Sequence, residues 1–165
     1  MLNQFSRTAL LVGQGAIEKL QASRVAIFGI GGVGGYVAEA LARSGVGCFD
    51  LIDNDTVALT NLNRQIIATH DTIGQPKVQV MAERIHDINP EMEVTCFGQE
   101  INPSTFAIAK ADMMIRGGNP DNMRFGDTLS EDKFAGYTFR YIISNEAVIC
   151  GLTPEKARNF KEFAA

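Results

Sequence analysis

The 165-residue sequence lacks a long apolar run, a dense basic segment and a regular set of cysteines. Without roughly 18 consecutive apolar residues, the chain is not expected to span a membrane. Its first residues show no charged start followed by a continuous apolar core, so we predict no secretory signal. The cysteines, Cys48, Cys96 and Cys150, are scattered and odd in number, which indicates reduced thiols and a cytoplasmic protein.

Charge is distributed unevenly along the chain. Residues 1–100 hold 7 Lys and Arg against 11 Asp and Glu, whereas residues 101–165 hold 8 of each kind. Neither part has the basic patch of an autonomous nucleic-acid-binding domain. A nucleic-acid substrate would therefore have to dock locally or on an oligomer.

Apolar patterning in the first hundred residues predicts alternating strands and helices. Short β-branched runs indicate strands at residues 25–30, 48–52 and 93–97, and helical spacing indicates helices at 36–44 and 76–88. Strand, glycine turn, helix and strand within about 30 residues form a βαβ unit, which is normally parallel and right-handed. The predicted fold class is therefore α/β, a Rossmann-like and mostly parallel sheet flanked by helices.

The flanking segments are less regular. Residues 8–22 have the pattern of a helix that Gly13 and Gly15 break in two. Beyond residue 100, we predict short strands at 113–115 and 141–143 and a terminal helix at 156–163.

A glycine-rich turn, GIGGVGG, separates the first strand from the helix that follows. Gly29, Gly31 and Gly34 fit the pattern G-x-G-x-x-G in this strand-to-helix context. Bare amides and the helix dipole at such a turn favour a phosphate. Asp53 ends the next strand, where a carboxylate accepts hydrogen bonds from ribose hydroxyls. The alternative is that the glycines serve only tight packing of helix on strand.

Polar residues after the second strand favour a triphosphate over NAD. The segment DNDTVALTNLNRQ carries Arg64, and GQPKV adds Lys77 at a helix start. A triphosphate recruits Arg, Lys and a divalent metal, whereas one helix N-terminus serves the two phosphates of a dinucleotide. We therefore expect ATP, with NAD-dependent hydride transfer as one alternative and solvated surface charges as another. The same segment supplies three more candidate cofactor-binding residues, Asp55, Asn61 and Gln65.

Several motifs within residues 5–100 occur in a recognisable order: ALARSGVG, LTNLNRQIIAT and DINP. Together they resemble the ThiF-type adenylating enzymes of the ubiquitin-activating family, and within it the branch that dehydrates threonylcarbamoyladenosine in tRNA. The resemblance implies an enzyme that uses Mg²⁺ and ATP to convert a carboxylate into an acyl-adenylate. It also implies a homodimer, a tRNA substrate and, in related branches, a sulfur-relay or carrier-protein partner.

The same resemblance implies roles by position. Asp53 would hold the ribose, and Arg64 and Lys77 would neutralise the phosphates as pyrophosphate leaves. Arg7 would reach into the nucleotide site of a neighbouring subunit. Four glycines would line the phosphates: Gly29, Gly31, Gly32 and Gly34. Asn61 and Gln65 would position the reacting groups.

After residue 100 the sequence departs from the adenylating pattern. The family's next strand ends in DAxDN, whose aspartate binds magnesium, and the local candidate is Asp121 in the sequence PDN. Asp121 is the candidate metal ligand that the sequence offers, and an ordinary turn residue is the interpretation that its spacing favours. The family's substrate-binding region is longer than the rest of this chain, so we expect a fold truncated relative to the family. A nucleotide-binding module without turnover is then an alternative to an active enzyme.

The last third of the chain carries a different resemblance. Residues 106–145 are similar to the modification subunit of type I restriction systems, an adenine-N6 methyltransferase. Asn145 is followed by Glu-Ala where that family's catalytic motif has two prolines, so methylation is not expected. We therefore predict a nucleotide-binding module at residues 1–102 and an appended segment at 103–165 that packs on or extends the same sheet.

Overall fold

A computed structural model describes residues 3–115, 117–127, 130–131, 133–134, 136–137 and 142–144. Its strands are β1 Arg24–Phe28, β2 Cys48–Ile52, β3 Glu93–Glu100, β4 Met123–Phe125 and β5 Ile142–Ser144. Within the described residues these five strands form one sheet in the order β4-β3-β2-β1-β5, and every neighbouring pair is parallel. The Rossmann-like α/β prediction is confirmed. The order reverses beside β1, so the turn after β1 lies at the point where open α/β sheets bind ligands.

Five α-helices accompany the strands in the described part of the chain. They are α1 Ser6–Val12, α2 Gln14–Gln21, α3 Gly34–Ser44, α4 Lys77–Ile88 and α5 Pro103–Ile115. Helices α3, α4 and α5 each connect two consecutive parallel strands. None of the described helices combines the length and the apolar character needed to cross a bilayer.

The core lies where α3 and α4 pack on the central strands β1 and β2. Ile27 of β1 and Phe49 and Leu51 of β2 are completely buried. Helix α3 contributes Ala38 and helix α4 contributes Met81, both fully buried. Both side chains belong to the one cluster of buried residues that the helices and the sheet enclose, as close packing requires.

The apolar spacing of α4 predicted its buried Val78, Met81 and Ile85 correctly. For α3 the sequence indicated a face of Val37, Ala40 and Leu41, whereas the structure buries Ala38 and Ala42 and leaves Ala40 exposed.

Helix ends follow the residue types present in the sequence. Gly45 ends α3 in the left-handed conformation, with φ of +96°, and its N–H donates to the carbonyl of Ala42. Gly13 separates α1 from α2, as predicted, whereas Gly15 lies inside α2. Pro76 directly precedes α4, where its missing N–H costs no helical hydrogen bond.

The predicted strand at residues 113–115 is wrong, because these residues form the last turn of α5. The helix begins after Asn102, whose Oδ1 accepts the N–H groups of Ser104 and Thr105 at 2.9 and 3.2 Å. This cap favours a helix over an isolated strand for the apolar run that follows. The strand predicted at 141–143 appears as β5, one residue later. The helix predicted at 156–163 lies outside the described residues.

Residues after 102 extend the sheet at both edges. Strand β4 pairs with the carboxyl-terminal half of β3, and β5 pairs with β1. The ring of Phe97 on β3 also packs edge-on against Phe134 and Tyr137, with centroid distances of 5.6 and 5.3 Å. The described part of this segment is therefore integrated with the sheet built by the first hundred residues.

Candidate functional site

The glycine turn joins β1 to α3 at the carboxyl edge of the sheet. Gly29 has φ of +86°, a conformation that side chains with a Cβ rarely adopt. Gly34 opens α3, and a Cβ placed there would lie 1.9 Å from the carbonyl oxygen of Gly29. Gly34 therefore lets the helix pack directly on the strand, as the alternative interpretation proposed. Packing does not account for the whole turn, since Gly31 and Gly32 face polar side chains.

The segment from Arg64 to Ile66 lies against this turn. A Cβ on Gly31 would be 4.0 Å from Nε2 of Gln65, and one on Gly32 would be 3.6 Å from Cγ of Arg64. The predicted polar residues and the predicted glycines thus meet in space, although about 30 positions separate them. Asn61 supports this segment, because its buried Oδ1 accepts the N–H of Ala58 at 2.9 Å.

Several polar groups at the turn have no hydrogen-bond partner in the described part of the chain. Among the described residues, the backbone N–H groups of Gly31, Gly32 and Val33 have no protein acceptor. Gln65 is 93% buried, with an exposed fraction of 7%, yet its Oε1 has no hydrogen-bond partner in that part of the chain. Buried polar atoms without partners are rare in folded proteins and call for a ligand or water. A phosphate would accept hydrogen bonds from the turn amides. Oε1 of Gln65 is an acceptor, so it would need a donor such as a ligand hydroxyl or amino group, or a water molecule.

Asp53 connects the turn to the end of β2. Its Oδ2 accepts the N–H of Ile30 at 2.6 Å, and its Oδ1 accepts the N–H of Asp55 at 2.8 Å. Burial raises the pKa of the Asp53 carboxyl, while the Asp55 N–H and the charge of Lys77 act in the opposite direction. Each carboxylate oxygen keeps a lone pair beyond these contacts, so the pair of oxygens can still accept from two hydroxyl groups.

Lys77 is the buried cation of the site. It is the first residue of α4, its side chain is only 6% exposed, and its Nζ lies 2.7 Å from Oδ2 of Asp55. Its charge also acts on Asp53, which places the amine near the carboxylate that holds the turn. The ammonium group has three donors, of which the ion pair uses one.

Arg64 is exposed and its aliphatic part covers Gly32. Its Nη1 donates to the carbonyl of Thr60 at 2.8 Å and to Oδ1 of Asn63 at 3.0 Å. In the described part of the chain no carboxylate lies within ion-pair distance of this guanidinium. Donors on Nε and Nη2 therefore remain for an anion at the turn.

Two predicted residues lie away from this constellation. Arg7 follows Phe5, whose ring packs on Gly45 at the amino edge of the sheet, so it lies at the edge opposite to Asp53. Asp121 is exposed in the turn before β4, which is separated from β1 by two strands. No three His, Cys, Asp or Glu side chains are grouped for a metal in the described ranges. Asp121 as a magnesium ligand stays a prediction.

A small cavity of about 30 Å³ lies on the α5 side of Asp53. This volume holds about one water molecule, so the cavity is too small for a nucleotide. Asp112 and Met113 of α5 and Cys96 of β3 contribute to its wall. The sequence interpretation missed the α5 residues because it did not predict this helix, although Asn102 before a proline is a helix-start signal. Burial raises the pKa of Cys96 to about 12, so its thiol is a poor nucleophile.

Comparisons with known proteins agree with this geometry. A model of the ThiF family matches residues 5–123. The chain is 57% identical over 94 residues to a tRNA threonylcarbamoyladenosine dehydratase of Bacillus subtilis, a match that covers 57% of this chain and 37% of that protein. It is 38% identical over 116 residues to the sulfur carrier protein ThiS adenylyltransferase of Escherichia coli, covering 68% of this chain and 46% of that one.

A solved structure shows the same fold with a nucleotide. The crystal structure of the E. coli tRNA N6-threonylcarbamoyladenosine dehydratase in complex with ATP matches with a TM-score of 0.58 and 45% identity. The match covers 66% of this chain and 44% of that chain. The chain thus spans less than half the length of these relatives.

The comparisons support one of the two family resemblances noted in the sequence. They support the ThiF-type resemblance, and the family match continues to residue 123, beyond the predicted boundary at 102. The resemblance of residues 106–145 to a restriction methyltransferase finds no support in them. The division at residue 102 stays a prediction.

Proposed function

Since this chain belongs to the ThiF family, we propose that it binds ATP at the glycine turn and adenylates a carboxylate group. One observation carries the proposal: the turn has unpaired amides, the buried Gln65 beside it has an unpaired Oε1, and the buried amine of Lys77 lies near Asp53, which holds the turn. The alternative of NAD-dependent hydride transfer gains no comparable support, because it requires neither of the two cations.

In the proposed reaction a carboxylate oxygen attacks the α-phosphorus of ATP. The bond from that phosphorus to the bridging oxygen breaks, and pyrophosphate leaves with the bonding electrons. The chain contributes positioning and charge neutralisation. Asp53 accepts from the ribose hydroxyls, and Lys77 and Arg64 offset the negative charge of the phosphates. Mg²⁺ would accompany the triphosphate. If Asp121 is a ligand of the metal, ATP binding by the Asp121→Asn variant should depend less on Mg²⁺ than ATP binding by the unsubstituted protein.

For the carboxylate we propose the threonylcarbamoyl group on a tRNA adenosine, which closes into a ring once activated. Similarity to the B. subtilis dehydratase supports this substrate. A sulfur-carrier or relay protein is the second candidate, supported by the similarity to the ThiS adenylyltransferase. Pyrophosphate exchange that depends on the modified tRNA supports the first substrate, whereas exchange that depends on a carrier protein supports the second. We also propose a cytoplasmic location, which the free thiols of Cys48 and Cys96 support.

A thermal-shift comparison tests nucleotide binding. The ligands are ATP with Mg²⁺, ADP, NAD and S-adenosylmethionine. A ligand at 100 times its Kd stabilises the folded state by about 2.7 kcal/mol, a readily measured shift for a domain of this size. We expect stabilisation by ATP and ADP. Stabilisation by NAD alone would support an oxidoreductase instead, and ATP binding without carboxylate-dependent pyrophosphate exchange would indicate a module without turnover.

We further propose that the chain acts as a homodimer in which Arg7 serves the partner's site. Two features support this proposal. Arg7 lies at the edge of the sheet opposite to the glycine turn of its own chain, and α1 presents Leu10 and Leu11 to solvent, 86% and 88% exposed. Adjacent exposed leucines on one short helix form an apolar surface that contact with a second copy would cover.

A further inference from the structure

Asp55 stands apart from the other predicted nucleotide-binding residues, because its carboxylate is mostly exposed and already paired. Its side chain is 65% exposed, whereas that of its partner Lys77 is 6% exposed. A carboxylate near a triphosphate repels it unless a cation lies between the two. In the described structure that cation is Lys77, at 2.7 Å from Oδ2 of Asp55.

The backbone holds these two residues together as well. The N–H of Lys77 donates to the carbonyl of Asp55 at 3.0 Å. The following residues continue the pairing, since Thr56 forms an antiparallel bridge with Pro76 and the N–H of Val57 donates to the carbonyl of Gln75 at 2.8 Å. Asp55 is therefore fixed relative to the first residue of α4, and its carboxylate fixes where the amine of Lys77 lies.

We propose that Asp55 is a positioning residue for Lys77 and is not itself a ligand of the nucleotide. The inference rests on the proposed ATP site. A lysine amine stands on a flexible four-carbon chain, and ordering it costs conformational entropy. Asp55 orders the amine before the nucleotide arrives and takes up one of its three donors. The remaining donors then meet the outer phosphates without that cost, which is the effect of preorganisation on affinity.

Affinities for ATP and AMP, measured by calorimetry, test this role. Asp55→Asn is expected to raise the Kd for ATP about tenfold, the effect of losing one charge-assisted hydrogen bond. The Kd for AMP should change less than about twofold, because AMP lacks the outer phosphates. Lys77→Ala should show the same pattern. The double variant should bind ATP no more weakly than Lys77→Ala alone, since Asp55 acts only through Lys77.

Matched variants separate positioning from general damage. Asp87→Asn removes one negative charge from an exposed position near the other end of α4 and should leave both affinities unchanged. Asp55→Glu keeps the carboxylate and should stay within about threefold of the unsubstituted protein for ATP.

The outcomes that would overturn the positioning role differ from those that would overturn the ATP site. Equal weakening of ATP and AMP by Asp55→Asn, tighter ATP binding, or a loss that persists in the Lys77→Ala background would each overturn the positioning role while leaving the ATP site intact. Unsubstituted protein that does not bind ATP would instead overturn the proposed function, and this inference with it.

Discussion

Two glycines of the turn are required for different physical reasons. Gly29 has open space where a Cβ would stand, but its φ of +86° disfavours any other residue. The backbone conformation of Gly34 is open to other residues, yet a Cβ there would collide with the carbonyl oxygen of Gly29. The pattern G-x-G-x-x-G therefore reflects two requirements: a positive φ at Gly29 and the absence of a side chain at Gly34.

Gly34→Ala is expected to lower the free energy of unfolding by at least about 2 kcal/mol, the cost of overpacking against a rigid backbone atom. The neighbouring atom is a main-chain carbonyl 1.9 Å from the new Cβ, so no side chain can move aside. Urea denaturation measures the change. Gly15→Ala is the matched control: its Cβ meets nothing within 4 Å, and alanine inside α2 should stabilise by about 0.5–1 kcal/mol. Equal stability of Gly34→Ala and the unsubstituted protein would contradict the close approach of helix and strand.

At the scale of elements, a charged network ties α3 to α4. Glu39 of α3 accepts from Nε of Arg84 on α4 at 2.5 Å and from Nη2 of Arg43, one turn further along its own helix, at 2.8 Å. The hydrogen bond from Arg84 lowers the pKa of Glu39 below its ordinary value, with a further contribution from Arg43. The two helices that form one side of the core are thus also linked at their surface.

Because folding lowers the pKa of Glu39, its contribution to stability is present above pH 4.5, the ordinary value for this carboxyl. The contribution is lost as the pH falls below 4.5 and through the lowered value in the folded state. Glu39→Gln should therefore destabilise the protein by about 1 kcal/mol at pH 7, the upper range for partly exposed ion pairs. The difference should shrink in unfolding measured at pH 3. Glu91→Gln, at an exposed position outside both helices, is the control. A constant difference at both pH values would show that Glu39 acts by packing and not by charge.

At the scale of the whole molecule, the residues proposed for one active site lie at opposite edges of the sheet. Phe5 packs on Gly45, and Gln4 donates to Oδ1 of Asn89 at 2.9 Å, so the segment that carries Arg7 is held at the amino edge. Asp53 and the glycine turn lie at the carboxyl edge. A dimer is the simplest arrangement that brings both sets together.

Mixing two variants that each weaken ATP binding tests this arrangement. Arg7→Ala and Lys77→Ala are each expected to bind ATP at least tenfold more weakly, by loss of a cation at the phosphates. After random exchange of subunits in equal amounts, about a quarter of the sites in a two-fold symmetric dimer would carry both native residues. Calorimetry of the mixture should recover that fraction of tight sites. A mixture without any tight sites, or a monomer in sedimentation, would exclude the contribution of Arg7 in trans.

The sequence by itself determined the βαβ unit, the glycine turn and most helix ends. These features depend on local chemistry: buried β-branched runs form strands, Gly45 ends a helix, and Pro76 precedes one. It did not reveal α5, because apolar residues occur all round that helix and show no helical period. The cap at Asn102 was the available signal.

Only the tertiary structure decided which predicted residues share a site. Residues 64–66 lie against the glycine turn because parallel strands bring their carboxyl ends to one edge, a relation that spacing along the chain does not encode. The same geometry separates Arg7 from its own turn and pairs Asp55 with Lys77. Contacts between distant segments depend on how helices and strands pack, and that packing becomes defined only when the core closes.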